Sequence, residues 1–175
     1  MRKLRNSELK RVSTEEFKKS EKLPIIVVLD DVRSMHNVGS VFRTCDAFKI
    51  DKLVLGGITP TPPSPEIEKT ALGSTESVEW KHEINISEYL LIKKAEGFAI
   101  YAFEHTSQSK TLLNFTVNKK PSIVIFGNEV KGVSEEVLAL CDEVIEIPQY
   151  GTKHSLNISV SAGIGIWEIA KNFLK

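Results

Sequence analysis

Residues 155–163 read SLNISVSAG, and the fold of the chain turns on how they are read. The first seven (Ser155, Leu156, Asn157, Ile158, Ser159, Val160, Ser161) alternate polar and apolar, the period-2 pattern of a half-buried strand. The stretch that follows, AGIGIWEIAKNFL (162–174), has the spacing of a helix. A second reading makes SLNISVSAG the start of that helix. Serine and asparagine satisfy the free amides of a first helical turn, so Ser155, Asn157 and Ser159 fit a helix start that also offers donors and acceptors to a ligand.

Upstream, short apolar runs alternate with helical patterns. PIIVVLD (24–30), KLVLGG (52–57), SVEWKHEI (77–84), FAIYAFEH (98–105), PSIVIFGNE (121–129) and DEVIEIP (142–148) read as strands. The continuous runs among them suit strands buried on both faces. NVGSVFRTCDAF (37–48) has apolar residues at 38, 41, 42, 45 and 48, a helical period. EIEKTALGS (66–74) begins with a helical turn, and SEYLLIKKAEG (87–97) is a helix with Ser87 as N-cap and Gly97 as its stop. SEEVLALC (134–141) is a short helix capped by Ser134. Ser13 with Glu16 forms a capping box for an N-terminal helix. TPTPPSP (59–65) holds four of the seven prolines and is a rigid, non-helical loop. The alternation predicts an α/β domain, a mostly parallel sheet flanked by helices.

At 175 residues and 41% hydrophobic, the chain is long enough for one globular domain with a real core. No apolar run approaches a membrane span, and MRKLRNSELKR lacks the apolar centre of a signal peptide, so a cytoplasmic location is expected. The two cysteines, Cys45 and Cys141, make no disulfide framework or CxxC pair. Net charge is zero, but residues 1–22 hold eight Lys or Arg against four Glu, and the remainder holds fifteen against nineteen acidic residues. The expected organisation is a basic N-terminal arm or helix over 1–22 and one domain over 23–175. The arm is either a solvated helix or an RNA-touching segment.

Several common chemistries are missing. GNEVKGVS (127–134) nearly matches a phosphate-binding loop, but Val133 stands where the phosphate-gripping lysine belongs. No GxGxxG follows the first strand, there is no GxSxG, and the four histidines have no metal-ligand spacing, so no metal site is expected. Three loops at the carboxyl ends of strands are more informative, because ligands of open parallel sheets bind there. In DDVRSMHNVGSVFRT (30–44), Asn37 and Gly39 open a helix whose free amides can receive an anion, and Arg43 lies on the face of Ser40 and Ala47. In FGNEVKG (126–132), Gly127 and Gly132 permit tight turns, and Glu129 is placed at the mouth of the sheet either as a turn cap or as a site residue. The third loop, IPQYGTKHSLNISVSAG (147–163), carries Ser155, Asn157 and Ser159.

Taken together, NVGSVFRTCDAF (37–48), IVIFGNEVKGVS (123–134), IPQYGTKHSLNISVSAG (147–163) and the intervening KTALGSTESV (69–78) resemble the SpoU/TrmH branch of the SPOUT RNA methyltransferases over about residues 23 to 175. The resemblance implies the SPOUT fold, an α/β domain whose C-terminal segment threads a deep trefoil knot. It also implies a homodimer in which both chains contribute to the site, and S-adenosyl-L-methionine as cofactor for methylating a ribose 2′-hydroxyl of tRNA or rRNA. By that likeness SLNISVSAG starts the last helix, and Gly163 and Gly165 admit a close neighbour at the dimer interface. The cofactor pocket would be formed by Phe103, Gly127, Ile147 and Leu156. Asn37, Arg43, Glu129, Ser155 and Asn157 match the positions tied to catalysis. The family gives the arginine the role of proton acceptor; holding the substrate phosphate and the developing alkoxide is a second role open to Arg43. Ser34-Met35 departs from the Asp-Pro of many relatives and bears on loop shape. A catalytically idle RNA-binding or assembly module with the same fold is the alternative.

Overall fold

The structure, a computed structural model, describes residues 1–5, 8–9, 12–153 and 155–174; Lys10 and Arg11 of the basic arm and His154 of the third loop lie outside the described residues. The helices are α1 (Thr14–Lys19), α2 (Met35–Ala47), α3 (Pro65–Ala71), α4 (Ser74–Ser77), α5 (Ile86–Ala95), α6 (Glu135–Leu138) and α7 (Ile158–Ala170). The strands are β1 (Leu23–Asp30), β2 (Ile50–Gly56), β3 (Trp80–Glu83), β4 (Ala99–Phe103), β5 (Lys110–Thr111), β6 (Ser122–Phe126) and β7 (Glu143–Glu146). They form one seven-stranded sheet in the order β3-β2-β1-β6-β4-β7-β5, and every neighbouring pair is parallel.

A strand with apolar residues at every position needs cover on both faces, and β1 has it. Ile25, Val27 and Leu29 join a core with Val38, Phe42 and Cys45 of α2, Ile67 of α3 and Ile166 of α7. Ile26 and Val28 join the opposite core with Ile86 and Leu90 of α5 and Val137 of α6. Among the described residues no helix is long and apolar enough to cross a membrane. The Ser13–Glu16 capping box is present on α1, whose Phe17 is buried.

The stretch SLNISVSAG is a helix start. Asn157 is the N-cap of α7, its side-chain oxygen accepting the Ser159 amide at 2.8 Å, and the helix begins at Ile158. Ile158, Ala162, Ile166, Ile169 and Ala170 are then buried at helical spacing. The apparent period of two comes from an extended cap followed by one helical turn.

Other boundaries differ from the sequence reading for local reasons. Asn85, not Ser87, caps α5: its side chain accepts the Glu88 amide at 3.1 Å, because Ile86 is already a core residue of the first turn. Gly97, with φ +92°, does end that helix. Ser134 stands at the N-cap of α6 but makes no side-chain cap; its hydroxyl and amide both donate to the buried Asp30 carboxylate, at 2.8 and 2.9 Å. The proline loop runs only to Ser64, and Pro65 opens α3, where a missing amide is tolerated. Asn37 and Gly39 do not open α2, which starts at Met35 with Ser34 as N-cap; the Ser34 hydroxyl accepts the Asn37 amide. Serine in place of aspartate therefore keeps a capping residue there. Gly39 is instead a contact glycine, since a Cβ would come 2.2 Å from the Ile67 carbonyl oxygen of α3. Gly165 likewise makes room within the chain, for the Phe103 ring, while the Cβ position of Gly163 faces open space.

Candidate active site

The carboxyl ends of β6, β4 and β7 lie side by side, and the loops leaving them, with the start of α7, wall a common space. It is a cavity of about 430 Å³, within the usual range for a ligand site. Phe103, Gly127, Ile147, Leu156, Glu129, Ser155 and Asn157 all line it. The aromatic wall is built by Phe103 stacked on Phe126, ring centroids 5.3 Å apart. Gly127 is obligatory: a Cβ would lie 2.1 Å from the Val133 amide nitrogen and 2.2 Å from the Gly132 carbonyl carbon. Val133, at the would-be phosphate-loop lysine, is buried in the second core.

One hydrogen-bond chain joins the three sequence motifs. Asn157 Nδ2 donates to Asn37 Oδ1 (3.2 Å), and Asn37 Nδ2 donates to Glu129 Oε1 (3.0 Å). Glu129 also accepts the amides of Arg33 and Ser34, each at 3.0 Å. It thus caps the amides ahead of α2 and also lines the cavity. Burial pushes the Glu129 carboxyl up, but the bonds from Arg33, Asn37 and Ser34 favour the charged form and hold it below the usual carboxylate range. A carboxylate stabilised in this way orients its neighbours and is a poor proton acceptor near neutral pH.

Asn37 is buried one hydrogen bond behind the cavity wall, and Arg43 is not part of the wall at all. Arg43 lies on the exposed side of α2 with His36 and Ala47, and among the described residues its guanidinium has no hydrogen-bond or ion-pair partner. The structure also adds residues that sequence reading missed. Asn128 pins the 127–133 loop, its Oδ1 accepting the Val130 and Lys131 amides and its Nδ2 donating to the Asp31 carbonyl. An asparagine followed by free amides is the pattern of an Asx turn, and that signal was there to be read. Glu104, His105 and Glu146 also line the cavity, and nothing local in the sequence marks them.

The sequence model of the SpoU rRNA methylase family matches residues 24–167. The chain belongs to that family. A SpoU-family relative from Thermus thermophilus, a tRNA (guanosine(18)-2′-O)-methyltransferase, is 33% identical over 97% of this chain and 86% of its own length. An enzyme of the same name from Aquifex aeolicus is 37% identical over 82% of this chain and 67% of its own. Among solved structures, the Aquifex aeolicus TrmH/SpoU tRNA modifying enzyme superposes with a TM-score of 0.78 at 32% identity, covering 90% of this chain and 79% of that one. The AdoMet-bound rRNA methyltransferase from Sinorhizobium meliloti gives 0.79 at 27% identity, covering 90% and 62%. The parallel sheet flanked by helices that the sequence leads one to expect is therefore observed, and it matches SpoU methyltransferase structures.

Proposed function

We propose that this chain transfers a methyl group from S-adenosylmethionine to a ribose 2′-hydroxyl of tRNA or rRNA. The observation that carries the reading is the hydrogen-bond chain by which Asn37 of the first motif joins Asn157 and Glu129, residues of the other two motifs that line one cavity of ligand size. The cofactor supplies a methyl group activated on a positively charged sulfur. The lining suits such a molecule: Phe103 and Leu156 offer apolar surface, and three carboxylates (Glu104, Glu129, Glu146) stand there with no Lys or Arg among the described lining residues. Ser155 and Asn157 are assigned to orienting the reacting groups, Asn37 and Glu129 to fixing Asn157 and the start of α2, and Arg43 to the substrate's phosphate and developing alkoxide.

The test is transfer of labelled methyl to undermethylated total RNA from cells lacking the gene. Label surviving alkaline hydrolysis as a 2′-O-methyl dinucleotide is the expected result and identifies tRNA or rRNA as substrate. No transfer despite adenosylhomocysteine binding would favour the idle RNA-binding module, and no cofactor binding would defeat the reading.

A homodimer, the C-terminal knot and a cytoplasmic location belong to the same proposal. The dimer is supported by α7, where Val160 and Trp167 are each about half exposed on either side of Gly163. Sedimentation should show a dimer that Trp167→Glu converts to monomer; a wild-type monomer refutes it. The knot is supported by the path of α7, which follows β7 near one edge of the sheet yet packs on α2, β1 and β6 at its centre. The basic arm over 1–22 is assigned to RNA, beside the domain over 23–175. Deleting residues 2–11 should weaken RNA binding and flatten its salt dependence while sparing adenosylhomocysteine affinity; an unchanged salt slope rules the arm out.

A further inference from the structure

Most residues of the cavity wall lie in loops, so its shape depends on what ties the loops together. The 127–133 loop closes on itself where the Asn128 and Gly132 amides each donate to the other's carbonyl, at 3.0 and 2.9 Å. Its tie to the neighbouring strand end is a side chain, Glu104. This residue follows β4 directly, and its own amide donates to the Ile145 carbonyl of β7 at 3.0 Å. Its Oε2 accepts the Val133 amide at 2.9 Å, and its Oε1 accepts the His105 amide at 2.8 Å. The carboxylate also lies against Gly132, where a Cβ would come 2.2 Å from Oε2, and Gly132 has φ +71°. The positive φ favours glycine there, and a Cβ would have to push the carboxylate aside. Glu104 and Gly132 line the cavity together with Gly127 and Glu129.

We propose that Glu104 is a positioning residue for the cofactor: its carboxylate sets the spacing between the 127–133 loop and the end of β4, and so the width of the cavity. This inference rests on the methyl-donor reading above. A carboxylate suits the task because its two oxygens accept two amides at once, whereas a glutamine has one acceptor oxygen and a donor that would oppose an amide. Glu104→Gln therefore keeps one of the two ties, and Glu104→Ala keeps neither.

Calorimetry with adenosylhomocysteine, melting curves and steady-state kinetics test it together. Glu104→Ala is expected to raise the Kd by about tenfold or more, from the loss of two charge-assisted bonds, with Glu104→Gln in between. At saturating cofactor kcat should stay near wild type, so that the loss falls on the cofactor KM. Gly132→Ala should harm affinity less in the Glu104→Ala background than in wild type, because the oxygen that its Cβ would meet is gone. A merely structural Glu104 would lower the melting temperature and the fraction of chains able to bind without moving the Kd. Should Glu104→Ala fail to fold, Glu104→Gln decides. A wild-type Kd in the folded variant overturns the inference alone, whereas wild-type protein that binds no adenosylhomocysteine overturns the donor reading and this inference with it.

Discussion

Arg43→Ala is expected to lower kcat for RNA methylation by about 100- to 1,000-fold, the usual effect of removing one donor to a developing oxyanion, while the Kd for adenosylhomocysteine stays at its wild-type value. The separation follows from geometry. Arg43 stands on the exposed side of α2 and outside the cavity lining, so it has no part in cofactor affinity. Among the described residues its guanidinium has no partner, which leaves it available to a polyanion. Acting as proton acceptor would require a neutral guanidine, and with an ordinary pKa of about 12.5–13.8 that costs on the order of 8 kcal/mol near pH 7. Holding a phosphate and the nascent alkoxide requires no such step. Arg43→Lys keeps the charge but loses the two-pronged fork, and it should lose most of the activity. Near-normal turnover in the lysine variant would sink this assignment, as would a parallel loss of cofactor affinity.

Gly127→Ala should abolish measurable adenosylhomocysteine binding and destabilise the fold by about 1–3 kcal/mol, the range for overpacking a filled site. The obstacles to a Cβ are the Val133 nitrogen and the Gly132 carbonyl, all backbone atoms between 2.1 and 2.4 Å away. No rotamer change can relieve them, so the 127–133 loop itself has to move, and it is a wall of the cavity. Gly97→Ala is the control: its Cβ would meet nothing within 4 Å, and only the positive φ is strained. That variant should lose some stability and no affinity. If Gly127→Ala binds adenosylhomocysteine like wild type, the cavity is not the cofactor site.

What the sequence disclosed and what it hid have physical causes. The central strands were legible because burial on both faces turns them into unbroken apolar runs, as in Ile25–Leu29 and Ile123–Phe126. The strand β5 has two residues, too few to show any period. A cap position could be read correctly and its bond still be missing where the serine had a better partner in space, as Ser134 has in Asp30, 104 residues away. The roles of the nine expected site residues came from family likeness, and seven of the nine line one cavity. Glu104 had no signal, since its partner Val133 is 29 residues distant and a lone glutamate after a strand reads as surface. Arg43 was legible as a motif residue, but its place outside the cavity lining was not.

The two outermost strands of the sheet, β3 and β5, have four and two residues. Rows of open amides and carbonyls that short give a second chain little to pair with, which is how natural sheets avoid edge-to-edge aggregation. Short margins of this kind leave the helical faces to the proposed dimer and should make the protein resist growth into fibrils.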